Sequence, residues 1–467
     1  MTALIWFRDD LRLADHAALR AGAADPAGLV ALYVLDEESA ETRPLGGAAR
    51  WWLHESLAQL RASLAAMGVP LVLRSGPAER VVGDVVDECG ADRVLWNRRY
   101  GAERHLDARL KAALRGRGIA AHSFHGGLLF EPGTVATATG TPYRVYTPFW
   151  RACLAQPAPA EPLPAPETLT PAAHQPASDS LDSWELQPTT PDWAGGLAAR
   201  WIPGEQTALA HLDRFLEERA PEYRARRDFP AVDVGSELSP YLRWGEMSPR
   251  TVWHTALAAA TETGVDVGMF LSELGWREFA WHTLFHHSGL DAAGEAAPGL
   301  HERGLNPQFD GFPWRRPDPR ELTAWQRGET GFGVVDAGMR ELWQSGFMHN
   351  RVRMVTASFL TKNLLTDWRV GEAWFWDTLV DADTASNPFN WQWVAGCGVD
   401  AAPYFRVFNP ETQQKKFDPE GRYVDRWAPE SVMLPQLVDL RETRVRALAA
   451  YESIKLAPRE RGEGGAG

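Results

Sequence analysis

The stretch Asp381–Pro410, DADTASNPFNWQWVAGCGVDAAPYFRVFNP, places two carboxylates, an amide and two indoles within thirteen residues. These side chains are Asp381, Asp383, Asn387, Trp391 and Trp393. Carboxylates and an amide can hydrogen-bond to the edge of a flavin ring, and indoles can stack on a flat ring or pass electrons to it. A metal site is the rival hypothesis, but further carboxylates or histidines at ligand spacing are missing, so we expect no metal. An extended backbone would place Trp391 and Trp393 on one face.

Length and composition are those of a globular protein with more than one domain. The chain has 467 residues, 45% of them hydrophobic and 23% charged, which predicts two or three domains. The three cysteines are far apart and form no CxxC motif, so a disulfide framework or zinc site is not expected and the cytoplasm is the natural location. The N-terminus has no signal-peptide pattern, and no apolar run approaches the roughly 18 residues of a membrane span.

The net charge of -13 at first argues against a nucleic-acid partner. Net charge governs solubility, however, whereas a docking face depends on local charge. Cations cluster at Arg224–Arg227, Arg351–Lys362 and Lys415–Lys416. A solvated surface is the simpler explanation of any one cluster, so these clusters alone leave DNA binding open.

The first 130 residues alternate buried strands with amphipathic helices. The predicted strands are Leu4–Phe7, Leu29–Leu35, Leu71–Leu73 and Val94–Trp96, and the predicted helices are Ala48–Met67, Ala78–Glu88 and Glu103–Arg117. That rhythm predicts βαβ units and a Rossmann-like parallel sheet. A GxGxxG fingerprint is missing, so we expect any ligand at the carboxyl ends of the strands.

The composition changes after this α/β region. Residues 156–195 are rich in Pro and Ala, which predicts an extended linker, and we place the linker at 131–200. The segment 201–460 is predicted to be an all-helical domain, separated by breakers such as Pro249 and Pro388. Its predicted helices are Thr207–Arg219, Thr251–Glu262, Val267–His286, Val335–Ser345, Arg351–Leu365 and Gly371–Val380.

Two helices of this region carry side chains suited to a planar ligand. Glu273 and Trp276 are three apart and share a helical face, so a ring can stack on the indole while the acid binds its edge. Asn350 and Met354 also share a face, and Asn offers both a donor and an acceptor to a pyrimidine. Taken separately, the first segment is explained about as well by a core Trp beside a surface Glu. The second is explained about as well by an ordinary amphipathic helix.

Other motifs weigh less. His282 and His286 have a zinc-like spacing, but without HExxH a packed helix with partly buried histidines is the better interpretation. P-loop and GxSxG motifs are missing, which removes the strongest sequence support for an ATPase or an α/β-hydrolase.

Taken together and in order, the motifs resemble those of the photolyase/cryptochrome family over nearly the whole chain. The matching segments are WFRDDLRLADHAAL at Trp6–Leu19, RDFPA at Arg227–Ala231, ELGWREF at Glu273–Phe279, TGFGVVDAGMREL at Thr330–Leu342, MHNRVRM at Met348–Met354, NWQW at Asn390–Trp393 and KFDPEGRYVDRWAPE at Lys416–Glu430. The chain departs at His16, where the family usually has Asn. The resemblance implies an α/β antenna-binding domain at 1–130, a linker at 131–200 and a helical FAD-binding catalytic domain at 201–460.

The resemblance also implies functional residues. FAD would be bound by Tyr223, Gly235, Ser236, Glu237, Leu238, Ser239, Arg353, Asp381, Ala382, Asp383 and Asn387. Electrons would reach the flavin through Trp314, Trp368 and Trp391. UV-damaged DNA would contact Arg227, Glu273, Trp276, Arg277, Asn350, Arg351, Met354, Trp393 and Gln413, with Glu273 and Asn350 also catalytic. A deazaflavin or methenyltetrahydrofolate antenna would lie near Arg50 and Glu103, unless that site is empty.

The lesion residues are closest to those of class I photolyases, which split cyclobutane pyrimidine dimers. Asn350 stands where (6-4) photolyases need a catalytic His, and Asn387 stands where plant-type cryptochromes have Asp. The resemblance therefore implies light-driven dimer repair by a monomer. The alternative is a cryptochrome-type blue-light receptor, against which the short tail PRERGEGGAG from Pro458 argues.

Overall fold

The structure is a computed structural model that describes residues 2–290, 294, 296–401 and 405–456. Two compact units divide the chain. The first comprises residues 1–300, 341–348 and 374–387, and the second comprises residues 301–340, 349–373 and 388–467. This division differs from the predicted segments 1–130, 131–200 and 201–460, whose boundaries stay a prediction. The tail from Pro458 lies outside the described residues.

A parallel sheet of five strands, in the order β3-β2-β1-β4-β5, forms the core of the first unit. The strands are β1 (Thr2–Phe7), β2 (Leu29–Leu35), β3 (Leu71–Ser75), β4 (Ala91–Asn97) and β5 (Ala120–Phe124). Ile5 of β1 pairs with Ala31 on one side and Leu95 on the other. Both faces of β1 are buried, which explains its continuous apolar run. The predicted sheet is confirmed, with β5 as an additional strand.

Helices accompany the strands, as βαβ units require. They are α1 (Ala17–Ala23), α2 (Gly47–Ala66), α3 (Ala78–Cys89) and α4 (Glu103–Gly116), and a further helix, α5 (Tyr146–Leu154), follows β5. The predicted helices α2, α3 and α4 are confirmed to within about one residue at each end, whereas α1 and α5 were not predicted. His16, the residue that departs from the family pattern, caps α1 by accepting a hydrogen bond from Leu19 N at 3.0 Å. Histidine can therefore replace the amide of Asn as an N-cap here.

The Pro-rich segment is extended, as predicted, and follows the sheet. Ala172 N donates to Leu29 O at 2.9 Å, and Asp179 N donates to Leu73 O at 2.8 Å. Its regular structure is a short 3₁₀ turn at Leu181–Trp184 followed by helix α6 (Gly195–Arg200). Prolines cannot join a sheet ladder from within, and the segment bonds through its other residues.

The rest of the described chain is helical. The helices are α7 (Glu205–Arg214), α8 (Ala220–Arg226), α9 (Ser239–Arg243), α10 (Pro249–Thr263), α11 (Gly268–His287), α12 (Pro319–Arg327), α13 (Gly333–Ser345), α14 (Asn350–Ser358), α15 (Trp368–Thr378), α16 (Ser386–Ala395), α17 (Pro410–Phe417), α18 (Arg422–Trp427) and α19 (Leu440–Leu456). Single π-helical turns at Phe215–Arg219 and Phe359–Asn363 follow α7 and α14. Among the described residues, no helix is both long and apolar enough to cross a membrane.

Pro249 and Pro388, the two prolines expected to separate helices, both lie in the first turn of a helix. Pro249 opens α10, and Pro388 lies in the first turn of α16. Proline is tolerated in a first turn because the backbone N–H there has no intrahelical partner. The expectation of a break at Pro388 is therefore wrong, and the segment around it is helical.

Candidate active site

Helix α11 presents Glu273 and Trp276 on one face, as their spacing predicted. Both side chains are half-buried in the first unit. The Glu273 carboxylate accepts a hydrogen bond from Arg227, which caps the end of α8. The Arg227 guanidinium also lies 5.4 Å from the ring centroid of Tyr223. A carboxylate and an indole that could bind a planar ligand are thus held beside a partly exposed cation.

Tyr146 of α5 stacks on Trp276. The two ring centroids are 3.8 Å apart and the ring planes differ by 11°. The Tyr146 hydroxyl donates to the backbone carbonyl of Ser272 at 2.7 Å and lies 2.7 Å from Ser272 Oγ. Burial raises the pKa of Tyr146 to about 12, so the hydroxyl keeps its proton at neutral pH. Tyr146 was not predicted from the sequence, because its role depends on packing between two helices.

Two arginines that lie outside the segment 235–239 bind to residues within it. Glu237 has a φ of 55°, a left-handed conformation that costs a non-glycine residue about 1 kcal/mol. Arg200 binds its carboxylate at 2.7 Å, and Arg219 donates to Gly235 O at 2.9 Å. A left-handed residue just before a helix start is the backbone arrangement of an anion-binding nest. This segment is therefore suited to phosphate.

Asp381–Asp383 meets this segment within the first unit. The Ser239 hydroxyl donates to Asp381 at 2.7 Å, and Arg243 donates to Ala382 O at 2.8 Å. Asp383 caps α16 by accepting from the backbone N–H groups of Ala385 and Ser386. Two predicted cofactor segments that are far apart in sequence are thereby brought together.

Asp383 lies in a buried and charged environment. Burial raises the pKa of Asp383, and the cations Arg277 and Arg243 act in the opposite direction. Arg243 also pairs with Asp9 at 2.7 Å, just beyond β1. Arg243 was not predicted from the sequence. Its position four residues after Ser239, on the same helical face, was the available signal.

Arg277, predicted to contact DNA, is engaged inside the first unit. Its guanidinium donates to Gly127 O at 3.1 Å and, at the longer distance of 3.4 Å, to Leu242 O. Burial lowers its pKa, although Glu278 beside it acts in the opposite direction. Direct DNA contact by Arg277 stays a prediction.

Helix α14 carries the second predicted group, in the second unit. Asn350 is exposed at its first position, and His349 caps the helix. Arg351 lies 4.5 Å from the ring centroid of Phe417, and its Nη1 lies 3.7 Å from Met354 Sδ. An amide, a cation and a thioether therefore line one accessible end of the helix, as their spacing predicted. Arg353, on the same helix, is half-buried.

Trp391 and Trp393 do not share a face. They lie in α16, where residues two apart point about 200° from each other. Trp391 is 2% exposed, whereas Trp393 is half-buried and donates to Asp400 O at 2.9 Å. The extended backbone that would place them on one face is not formed, since α16 runs from Ser386 to Ala395 with Pro388 in its first turn. The helix separates the two indoles into one core residue and one near the surface.

The remaining predicted indoles differ in burial. Trp368 is 1% exposed at the start of α15, and Trp314 is half-buried against Phe312, with ring centroids 4.3 Å apart. Trp325, which was not predicted, meets Trp391 edge to face at 6.3 Å. Trp391 also packs on Gly371, one helical turn after Trp368. Gly371 is thus the point where α15 approaches the indole.

We expect Gly371→Ala to destabilise the protein by about 1–3 kcal/mol, because a methyl group there would overlap the indole of Trp391 and a methyl of Leu360. Urea unfolding measures the loss. Gly116→Ala is the matched control, since Gly116 ends helix α4 with no atom within 4 Å of the added carbon. Equal stability of both variants would contradict the close packing of Trp391 on α15.

Other predicted residues occupy separate positions. Tyr223 lies in α8, Leu238 precedes α9 and Asn387 is 8% exposed in α16. Gln413 lies in α17, and its side-chain oxygen is buried without a hydrogen-bond partner among the described residues. Such an acceptor is an unmet hydrogen-bonding group that a ligand or water can satisfy. Ser236 is half-buried beside Gly235.

Charged side chains cluster at the carboxyl ends of β1 and β4, where the strand order reverses. Arg8 and Arg99 both bind Asp107, at 3.2 Å and 2.6 Å. Burial raises the pKa of Glu103. Arg50, the other predicted antenna residue, pairs with Glu37 at 2.5 Å. The general rule for α/β sheets places ligands at this edge.

Of the α11 histidines, His282 is packed as expected, whereas His286 is exposed. His282 is 3% exposed and bonds to Phe130 O at 3.1 Å through Nε2. Within the described residues, no group of three or more His, Cys, Asp or Glu side chains could hold a metal ion. The three cysteines are buried and unlinked.

Comparison with known proteins identifies matches over almost the full length. A family model described as DNA photolyase matches residues 3–167, and one described as FAD binding domain of DNA photolyase matches residues 270–453. A deoxyribodipyrimidine photo-lyase of Agrobacterium fabrum is 46% identical over 97% of this chain and 98% of its own. Cryptochrome-1 of Arabidopsis thaliana is 36% identical over 93% of this chain and 63% of its own.

A solved structure agrees with the fold. A bacterial class III photolyase from Agrobacterium tumefaciens superposes with a TM-score of 0.90, at 45% identity, covering 97% of this chain and 98% of that chain. The expected class I subtype is not confirmed by these matches.

Proposed function

We propose light-driven repair of cyclobutane pyrimidine dimers in DNA for this chain, which belongs to the DNA photolyase/cryptochrome family. The observation that carries the proposal is the face of α11. There a half-buried carboxylate and an indole with one face already covered lie beside Arg227. Stacking on an indole and hydrogen bonding to a carboxylate suit a base that has left the duplex.

FAD is the cofactor that the helical region is suited to bind. The nest at 235–239 suits the diphosphate, and Ser239 with Asp381 supplies hydroxyl and carboxylate groups beside it. Arg243 and Arg277 supply positive charge near Asp383. We assign Tyr223, Gly235, Ser236, Glu237, Leu238, Ser239, Arg353, Asp381, Ala382, Asp383 and Asn387 to this site. Bound by these residues, FAD would supply the light-driven electron-transfer chemistry that dimer splitting requires, with no net redox change.

The protein's own residues bind and orient the damaged base. Glu273 and Asn350 would hydrogen-bond to the pyrimidine edges and stabilise negative charge that develops there. Trp276 and Trp393 would stack on the rings, and Met354 would pack against them. Arg227, Arg351 and Gln413 would contact the damaged strand, so affinity should fall with salt. Flipping costs least for a base pair that is already distorted, which favours the lesion.

Trp391, Trp368 and Trp314 are the proposed route for electrons that reduce the flavin. Burial of Trp391 and Trp368 and partial exposure of Trp314 fit a path from core to surface. The packing of Trp391 on Gly371, three residues after Trp368, supports the inner step.

The competing function is that of a blue-light receptor. The 36% identity to a plant cryptochrome supports this alternative function. Asn387 and the Glu273–Trp276 face favour repair. We further propose a monomer in the cytoplasm, and an antenna chromophore, deazaflavin or methenyltetrahydrofolate, near Arg50 and Glu103.

Repair is tested on purified protein after photoreduction. UV-damaged oligothymidine is added, blue light is applied, and recovery of thymine absorbance is followed against a dark control. Light-dependent recovery supports a dimer photolyase. If absorbance does not recover although FAD is bound and photoreducible, the repair proposal is wrong and a photoreceptor function is favoured.

We expect Glu273→Ala to lower the repair yield per absorbed photon about tenfold, because a hydrogen bond that involves a charged group contributes about 1.5–3 kcal/mol. FAD content should not change. Glu222→Ala is the matched control, since Glu222 forms an exposed pair with Arg226 on α8. A Glu273→Ala yield equal to that of the control would contradict the proposed role of Glu273.

A further inference from the structure

The indole of Trp276 is not free to stack on both faces. Tyr146 covers one face at a centroid distance of 3.8 Å, nearly parallel. Phe279 meets the indole edge to face at 6.0 Å. A flat ligand can therefore stack on the opposite face alone, and the orientation of that face depends on what holds Tyr146.

Tyr146 is held at both ends. Its hydroxyl is fixed by the carbonyl and hydroxyl of Ser272, one turn before Trp276 on the same helix. Its ring is 8% exposed. The close approach of α5 to α11 depends on Gly275, where an added carbon would lie 2.8 Å from the Tyr146 hydroxyl and 2.7 Å from Trp150. The two rings and the Ser272 anchor thus form one unit across two helices.

We propose that Tyr146 is a positioning residue for dimer recognition, which sets the Trp276 indole and leaves one face of it for the pyrimidine dimer. This inference rests on the proposed repair function. Tyr146 touches neither DNA nor flavin in this role and acts through Trp276. The hydrogen bonds fix the tyrosine ring, and the ring fixes the indole against tilting, which preserves stacking on the damaged base.

Fluorine NMR of protein labelled with 5-fluorotryptophan tests the positioning step without repair. The resonance missing from Trp276→Phe identifies Trp276. We expect Tyr146→Leu to shift and broaden that resonance, because the ring current and the stacking partner are lost. Tyr146→Phe keeps the ring and should change it little. An unshifted resonance in Tyr146→Leu would overturn the inference.

Binding to DNA with one pyrimidine dimer tests the functional step, with undamaged DNA as reference. We expect Tyr146→Leu to weaken dimer binding about fivefold, from the usual strength of an aromatic pair, and to leave undamaged DNA binding unchanged. In a Trp276→Ala background the same change should have no further effect, whereas a merely structural role would give additive losses. Leu154→Ala, exposed on α5, is the control.

The outcomes separate this inference from the repair proposal. If the wild-type protein neither prefers nor repairs dimers, the proposed function fails, while the fluorine spectra still decide whether Tyr146 positions Trp276. If the wild type repairs dimers and Tyr146→Leu binds them as the wild type does, the positioning role in recognition is wrong and the repair function stands.

Discussion

Trp276→Ala should bind dimer-containing DNA about 5- to 150-fold more weakly than the wild type, because stacking of a base on an aromatic side chain contributes about 1–3 kcal/mol. Binding to undamaged DNA should change little, since the phosphate contacts remain. Loss of the indole also leaves the face of Tyr146 without its 3.8 Å partner, which adds to the disorder of the site. Fluorescence anisotropy with a labelled oligonucleotide measures both affinities.

Trp343→Ala is the matched control for this loss. Trp343 is 46% exposed and also stacks on other indoles, at 5.7 Å from Trp193 and 6.0 Å from Trp374. The Trp343→Ala change also removes a stacked indole, but at a position that we do not assign to DNA binding. If both variants lose dimer affinity equally, the loss would not report on Trp276, and the assignment of the α11 face to the lesion would be wrong.

Elements with a complete apolar pattern were the easier ones to predict in this chain. The run Leu29–Leu35 is apolar throughout, because β2 is buried on both faces, and its bounds were predicted correctly. The edge strand β5, AAHSF, is partly exposed and has no such run, so it was missed. Helix α5 was missed because Pro148 lies inside YTPFWRACL, where it occupies the tolerated first turn.

The sequence allowed candidate site residues to be named, but it predicted little of how their side chains are arranged in space. Spacing gave the common face of Glu273 and Trp276, since both lie in one regular helix. Spacing did not give the arrangement of Trp391 and Trp393, because a common face requires an extended chain, whereas Asp383 caps a helix here that has Pro388 in its first turn. Arg243 and Tyr146 act through residues more than a hundred positions away, which local spacing does not reveal.

Glu246→Gln should stabilise the protein at about pH 8 by roughly 3 kcal/mol and reduce the dependence of its stability on pH. Glu246 is fully buried. Its Oε2 accepts from Trp52 Nε1 at 3.3 Å, whereas Oε1 has no hydrogen-bond partner among the described residues. Burial raises its pKa to about 8. Glutamine keeps the shape and removes the cost of burying a charge.

The sign of the effect follows from proton binding. Because the pKa of Glu246 is raised on folding, the folded state holds its proton more tightly than the unfolded state. That contribution to stability is complete below about pH 4.5 and is lost as the pH rises to about 8. Glu278, with its pKa raised to about 7 by burial, acts in the same direction. Burial lowers the pKa of His282 to about 4, which acts in the opposite direction below about pH 6.5.

Urea unfolding of the wild type and Glu246→Gln at several pH values between about 6.5 and 8 isolates Glu246, because Glu278 and His282 contribute equally to both proteins. The free energy of unfolding should fall more steeply with pH in the wild type, by up to about 1.4 kcal/mol per pH unit. Glu222→Gln, at an exposed position, should follow the wild type. Parallel curves for the wild type and Glu246→Gln would mean that the buried carboxylate is ionised at neutral pH, with its charge compensated by Trp52 and the nearby Ser56 hydroxyl.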